Sequence, residues 1–493
     1  MLHSRLAIAA LVAASAAHGP VAAQTTEDLQ LSTSDPGGFF SVASRQGRVA
    51  AGAPRADHAG VESGTAYVFD AGTGQQVVRL DALDVQAFDW FGSSVALEDD
   101  LALIGSPRHN EFAFMADTGA AYVFDAATGQ QLHDLTPSDL AGGRRFGTSV
   151  SLSGDLAAIG AEGFAGAVYV FDVTAGQELR KLTASDGVNG DRLGGSVSIS
   201  GERVVAGARY ADSDAGAAYV FDASTGWGGF KLQPADGASG DTFGEAVAIH
   251  GDRVVVGAPG HDGPGGENSG AVYVFDAVTG QELLKLVASD GAAHDRFGRS
   301  VAIHGTKIVV GAPRSDAMGS DAGAAYVFDL TTGLELEKLV ASDAAADDFL
   351  GWSVSIWGED VAVASLRLGY LFDLDFTFST CVPAGGNSVS PTGALLVSTG
   401  GFGTADATFS VVGVPDSFGL LVAGTVSSNV ALGCGSRCIG GTLIRGPVVM
   451  ASGNQVVDMP FDMSPPGFVH VQYFYRDAGG CAAGFDLSNA LTN

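Results

Sequence analysis

The sequence predicts an all-β protein, a seven-bladed β-propeller followed by a small β-sandwich. Three observations carry this. A unit of about 50 residues recurs seven times, each unit holds four short runs of strand-forming residues, and no stretch of useful length repeats with helical period. One copy reads Asp295-Arg296-Phe297-Gly298-Arg299-Ser300-Val301-Ala302-Ile303-His304-Gly305, continues to Gly311-Ala312-Pro313, and after a loop gives Gly323-Ala324-Ala325-Tyr326-Val327-Phe328-Asp329. The tyrosine of the last run returns at Tyr67, Tyr122, Tyr169, Tyr219, Tyr273, Tyr326 and Tyr370.

Taken in order, residues 1–23 read as a secretory signal. His3 and Arg5 give a basic start, Leu6 to Ala17 an apolar run, and Val21-Ala22-Ala23 small residues for cleavage before Gln24. A core helix is the competing reading. The run is shorter than the roughly 20 residues a membrane span needs, and no later stretch reaches that length, so no transmembrane segment is expected. Next comes a strand, Asp28-Leu29-Gln30-Leu31-Ser32, of the kind that elsewhere ends a unit, as Gln281 to Val287 does. Within a unit, strand a follows Phe-Gly (Ser300 to Ile303). A short turn such as His250-Gly251-Asp252 leads to strand b (Arg253 to Val256), and a loop to strand c (Ala271 to Phe275). Asp276-Ala277-Val278-Thr279-Gly280 then turns into strand d.

The propeller, residues 24–378, therefore runs as seven d-a-b-c units, whereas blades are built a-b-c-d. The N-terminal strand is expected to complete the last blade, begun near Phe349, and to close the ring, removing the exposed edges of an open array. A β-solenoid would use shorter coils. Phe91, Phe146, Phe243, Phe297 and Phe349, with Leu193 once replacing Phe, are expected to pack between blades. The glycine of Gly-Ala-Pro is expected to permit close approach or a positive φ. From 379 to 493 the repeat stops, and Val-, Phe- and Gly-rich runs read as a small antiparallel sandwich.

With 71 glycines, 16 prolines and a net charge of −30, the chain suits tight turns rather than disorder. Nucleic acid and anionic membrane surfaces require clustered Lys and Arg and are excluded as partners. The four cysteines, Cys381, Cys434, Cys438 and Cys481, lie in the C-terminal module. In an exported chain an even count reads as disulfides. Three pairings are open. Cys381–Cys481 with Cys434–Cys438 is favoured, because one bond would staple the ends of the module and the other a local loop. A zinc site is the competing reading, and it lacks paired Cys-x-x-Cys spacing.

The combination of Phe-Gly, Gly-Ala-Pro and Gly-Ala-x-Tyr-Val-Phe resembles the FG-GAP repeats of integrin α-subunit propellers and their bacterial secreted relatives, over about residues 28–373. Gly-Ala-Pro is intact at residues 52–54, 257–259 and 311–313 and has drifted at 105–107, 160–162, 207–209 and 364–366. The resemblance implies a propeller and, in some blades, an Asp-x-Asp-x-Asp-Gly calcium loop between strands a and b. Here those turns are short, as in Glu98-Asp99-Asp100, and poor in carboxylate. The family's calcium sites are therefore not carried over. The Tyr-Val-Phe-Asp-x-x-Thr-Gly run also resembles quinoprotein-type repeats, without the Trp that usually follows; Trp227 is the only one nearby.

A different acidic pattern sits between strand d and the next strand a. Asp84 and Asp89, Asp186 and Asp191, Asp236 and Asp241, Asp290 and Asp295, and Asp343 and Asp348 share the spacing Asp-x-x-x-x-Asp, and Arg144 follows Asp139 in place of a second Asp. These residues either cap turns through their own backbone or bind a cation, calcium being the candidate at Asp186, Asp191, Asp236, Asp241, Asp290 and Asp295.

These readings lead to an exported protein, secreted, periplasmic or on the cell surface. Its expected role is non-enzymatic binding or adhesion, with an extracellular protein or glycan as partner. The alternatives are an extracellular enzyme using the propeller funnel, a polysaccharide hydrolase or lyase or a quinoprotein, and a structural surface component. A catalytic centre would appear as one unrepeated cluster of His, Tyr, Arg or carboxylates at the axis, and the sequence displays none.

Overall fold

The computed structural model describes residues 23–374 apart from 32, 34–37, 111–116, 140 and 227–229, together with the backbone of six strands beyond residue 374. The chain divides into two compact units, residues 1–374 and 375–493.

The first unit is a seven-bladed propeller. Blade 5 shows why the sequence folds this way. Its strands a to d are Ala246–His250, Arg253–Ala258, Ala271–Asp276 and Glu282–Leu286, paired antiparallel in that order. Strands b and c are buried along almost their whole length, because each blade is covered on both faces by its neighbours. That is why they read Val-Val-Val-Gly-Ala and Val-Tyr-Val-Phe rather than alternating. Strand d, at the outer edge, alternates between half-buried and exposed positions before ending on buried Leu286. His250 pairs with Arg253, which leaves a two-residue turn whose Gly251 has φ +58°, the left-handed geometry that tight hairpins demand. Asp276 shapes the c–d turn: its Oδ1 accepts the N–H groups of Val278 and Thr279 and the Thr279 hydroxyl at 2.9–3.0 Å. This turn accounts for the Asp-x-x-Thr-Gly run. Trp227 lies outside the described residues.

The ring closes as the phase of the repeat requires. Blade 7 holds Ser353–Trp357, Asp360–Ala364 and Gly369–Asp373, and its outer strand is Leu29–Leu31, antiparallel to Gly369–Asp373. Leu31 is fully buried there, and the Asp373 N–H donates to Asp28 Oδ2 at 2.7 Å. One strand was not foreseen. Ala23–Thr26 pairs in parallel with Glu335–Val340, adding a fifth strand to blade 6. Four residues carry too little pattern to announce a strand.

Seven apolar clusters fill the seven gaps between blades. In one, Phe297 sets its edge against Tyr326 and Phe328, with centroids 5.6 and 5.7 Å away, while Val272, Val274 and Leu286 of blade 5 close over the same core. Phe349 does not take this place in blade 7. Leu350 does: it bridges to Gly323 as Phe297 bridges to Gly270, and it is buried, whereas Phe349 is half-exposed with φ +55°. The Phe-Gly at 349 is interrupted by one residue, and the buried position goes to the residue directly before Gly351. The glycines of Gly-Ala-Pro and Phe-Gly meet across the blade gap. A Cβ on Gly257 would lie 2.0 Å from the Gly298 carbonyl oxygen, so close approach is the requirement there.

Strands a line the axis. Ser196 and Ser198 hydroxyls accept the N–H groups of Val247 and Ile249 in the next blade at 2.9 and 3.1 Å, and Ser353 and Ser355 do the same for Val42 and Ser44 across the closure. These bonds satisfy inner edges that would otherwise be unpaired. They surround a channel of about 490 Å³.

In the second unit, Thr392–Leu395, Ser417–Gly424, Ile444–Ala451 and His470–Arg476 form one antiparallel sheet, and Asp406–Val411 pairs with Val457–Asp462. The side-chain core of a sandwich, the four cysteines and the signal segment lie outside the described residues. No helix among the described residues is long and apolar enough to cross a membrane.

Candidate functional site

The a-b-c-d order brings the b–c loops and the d–a connections to one face, and the aspartate pairs lie on it. Their two members do different work. The second of each pair, Asp89, Asp191, Asp241, Asp295 or Asp348, is buried. Its Oδ2 accepts a backbone N–H three residues earlier, at 2.8–2.9 Å in every case. Burial pushes the Asp295 carboxyl above its ordinary value. In blades 2 and 5 this aspartate also holds a buried histidine, Asp89 with His109 Nδ1 at 2.9 Å and Asp241 with His261 Nδ1 at 3.0 Å.

In four of the five pairs the first aspartate latches the connection to the blade that follows, whereas Asp84 lies 3.8 Å from His109 Nε2. Asp186 accepts the Tyr219 hydroxyl at 2.9 Å and the Lys231 ammonium at 2.8 Å. Asp236 accepts Tyr273 and Lys285, and Asp290 accepts Tyr326 and Lys338. The Lys231 ammonium holds the Asp186 carboxyl below the usual range, and burial together with Asp186 pushes the Tyr219 hydroxyl up to about 12. Asp139 makes the same latch to Tyr169 and Lys181 although Arg144 replaces its second partner. In blade 7, where strand d offers Gln30, Arg367 supplies the cation to Asp343 at 3.2 Å. A metal ion at the first aspartates would compete with these tyrosines and lysines. Among the described residues no three His, Cys, Asp or Glu side chains converge as a metal requires. The two-residue a–b turns have no room for the family's calcium loop.

A second feature lies at the axis of the same face, in a pocket of about 350 Å³. It is built partly from recurring positions, Pro54 with Arg55 and Pro107 with Arg108, and partly from positions that vary between blades. The residue after Phe-Gly, or after its equivalent in blades 1, 4 and 7, is Phe40, Ser93, Thr148, Gly195, Glu245, Arg299 and Trp352 in blades 1 to 7, different in every blade. The residue just before the buried Phe or Leu is held at positive φ although it is not glycine: Trp90, Arg145, Arg192, Thr242, Arg296 and Phe349 lie between +54° and +60°. Such backbone costs on the order of 1 kcal/mol for a non-glycine residue and survives because neighbouring backbone fixes it. The Arg145 N–H, for example, donates to the Asp117 carbonyl at 3.0 Å.

Three guanidinium groups lie on three aromatic rings around this pocket. Arg108 sits 3.4 Å from the Trp90 ring centre, Arg299 4.6 Å from Trp352 and Arg55 4.8 Å from Phe40. The Trp90 indole N–H is anchored on Glu62 at 3.1 Å. Beside them, Glu162 bridges Arg145 and Arg209, and Glu245 bridges Arg209 and Arg299, at 3.1–3.3 Å. Three arginines thus share two carboxylates, with Arg55 and Arg108 beside them. Neither Arg55 nor Arg108 pairs with a carboxylate of the described residues. The structure therefore corrects the expectation that the axis holds no unrepeated cluster. Part of the signal was present as the variable position after Phe-Gly inside a constant frame, and it was hidden because the residues are scattered from 40 to 352.

Comparison with protein families matches residues 75–124, 130–171, 177–221, 230–275, 281–328 and 334–367 to the FG-GAP repeat. The chain belongs to the FG-GAP repeat family. The six matched stretches begin at strand d, or within a residue or two of it, and in the first five end on strand c, so each straddles two blades of the FG-GAP propeller. Each of the first five matched stretches carries the outer strand of one blade and strands a to c of the next. A search among curated proteins finds no match to the chain.

Proposed function

We propose that this FG-GAP protein is an exported, non-enzymatic binding or adhesion protein that takes its extracellular partner, a protein or a glycan, on the loop face of the propeller at the axial pocket. The observation that supports this reading is the set of three guanidinium–aromatic stacks around one concavity. Stacking fixes flexible arginines at small entropic cost, and rigid aromatic and arginine groups dominate recognition sites. A hydrolase or lyase needs a carboxylate, histidine or tyrosine free to move a proton. Glu162, which lines this pocket, and Glu245 beyond it are each engaged by two arginines, and Glu62 accepts the Trp90 indole N–H. Secretion in the native host, followed by binding to glycan and matrix-protein arrays, tests the proposal, with polysaccharide hydrolysis and lyase assays run beside them. Saturable binding without turnover is the expected result, and release of product from any bound polysaccharide overturns it.

A further inference from the structure

We infer that the axial pocket is an anion site, and that its ligand is a compact carboxylate-bearing group, either a free multi-carboxylate acid or the terminal uronate of an oligosaccharide. The inference rests on the binding role proposed above and adds the chemistry of the ligand. Four observations carry it. The molecule has a net charge of −30, yet five arginines gather here against three glutamates, Glu162 and Glu245 shared by Arg145, Arg209 and Arg299, and Glu62 on the Trp90 indole. A concave site of one sign on a surface of the other draws in a small ion of matching charge and turns away a long polyanion.

Next, the Arg108 guanidinium carbon lies 3.4 Å from the Trp90 ring centre, a distance that requires stacking, the Arg55 one lies 4.8 Å from Phe40, and neither group has a carboxylate of the described residues at its edge. A guanidinium held flat in this way presents its N–H fork edge-on, the geometry that grips a carboxylate with two parallel hydrogen bonds. A guanidinium already occupies one face of each ring, which leaves less aromatic surface for a neutral sugar to stack on. The Arg209 Nε is also buried without a hydrogen-bond partner, so the glutamates do not exhaust the donors in this network. Finally, a volume of about 350 Å³ lies at the small end of ligand sites, which run from about 300 to 1,000 Å³. It admits a small acid or a chain end rather than a length of polymer or a folded protein.

The test is calorimetric titration of the full mature chain, at low and at physiological salt, with three probes: citrate, a diuronate disaccharide, and the neutral disaccharide of the same linkage. Saturable binding of at least one anionic probe, weakening with salt, with none of the neutral sugar, is expected. Which anion binds more tightly identifies the source. Arg55→Gln with Arg108→Gln should weaken binding at least tenfold, about 1.4 kcal/mol. Arg108→Lys, which keeps the charge and loses the fork, should recover only part of it. An unchanged melting temperature shows that these variants are folded. If neither anion saturates at millimolar concentration, or if the double variant binds as the parent does, the anion site is wrong. Binding of a neutral glycan or of a protein that ignores the arginines would retain the binding role and remove this inference. Cleavage of the diuronate would retain the pocket and remove the non-enzymatic role.

Discussion

The loop face carries two kinds of polar residue, and they do opposite things. The aspartates of the d–a connections recur through most blades and solve a recurring structural problem, the second capping its turn and, in blades 3 to 6, the first tying the connection to that blade's tyrosine and lysine. The aromatics at the axis and Arg145 and Arg299 differ from blade to blade, although Arg55 and Arg108 have counterparts in Arg314 and Arg367, and together with Pro54, Pro107 and Glu162 they line a pocket. In a repeat protein a recurring residue answers to the recurring interface, whereas a ligand approaching the axis also meets positions that differ between blades. A motif hunt guided by recurrence therefore finds the scaffold first.

This contrast can be broken by substitution. The largest effect is expected where blades touch. Gly257→Val would drive a side chain into the Gly298 carbonyl, 2.0 Å from where Cβ must sit, and should cost more than about 4 kcal/mol or prevent folding, as read by urea unfolding. Asp241→Ala removes the acceptor for Ala238 N–H and for His261 and should cost about 2–3 kcal/mol, with ligand affinity unchanged in whatever protein remains folded. Tyr219→Phe breaks one latch to a half-exposed carboxylate, for about 0.5–1 kcal/mol after solvent screening.

The latches also set the acid response. Asp139, Asp186, Asp236 and Asp290 all have carboxyls held below their ordinary value. Their contribution is complete above the unfolded value of about 3.9 and is lost as pH falls through the lower folded value. Asp295, pushed up by burial, acts in the opposite sense. Melting temperature should fall as pH drops from about 5 to 3, and Asp186→Asn should flatten that fall; a pH-independent melt would remove the latch account. Millimolar calcium should leave the melting temperature unchanged, because the first aspartates are occupied by tyrosine and lysine. A rise of several degrees would favour the aspartate pairs as cation sites. The smallest effect on stability belongs to Arg55→Gln with Arg108→Gln, within about 0.5 kcal/mol. If that pair unfolds the propeller, the division between scaffold and pocket fails.

Much of the scaffold was legible. The Tyr-Val-Phe-Asp spacing counts the blades, and the strand at 28–32 placed ahead of the first Phe-Gly equivalent dictates closure. Two things were not. Local pattern placed Phe349 in the core, but Leu350 is the residue adjacent to the glycine that meets Gly311 across the blade gap, and only that contact fixes the register. The pocket was legible in part as variation at the position after Phe-Gly, yet chemistry could not be read from it. Phe40, Arg299 and Trp352 lie far apart in the chain, and nothing local tells that Arg299 will lie on Trp352.

The three-residue strand Leu29–Leu31 that completes blade 7 has a kinetic consequence. It is among the first parts of the propeller to be synthesised, and its partner, Gly369–Asp373, is the last. Six interfaces can form in sequence as the chain emerges, while the seventh must wait for ends some 340 residues apart to meet, the kind of distant contact that slows folding. Until then the nascent N-terminal segment is an unclaimed strand facing an unclaimed edge. A second molecule in the same condition could supply either half, so crowding during synthesis sets a competition between closing one ring and linking two.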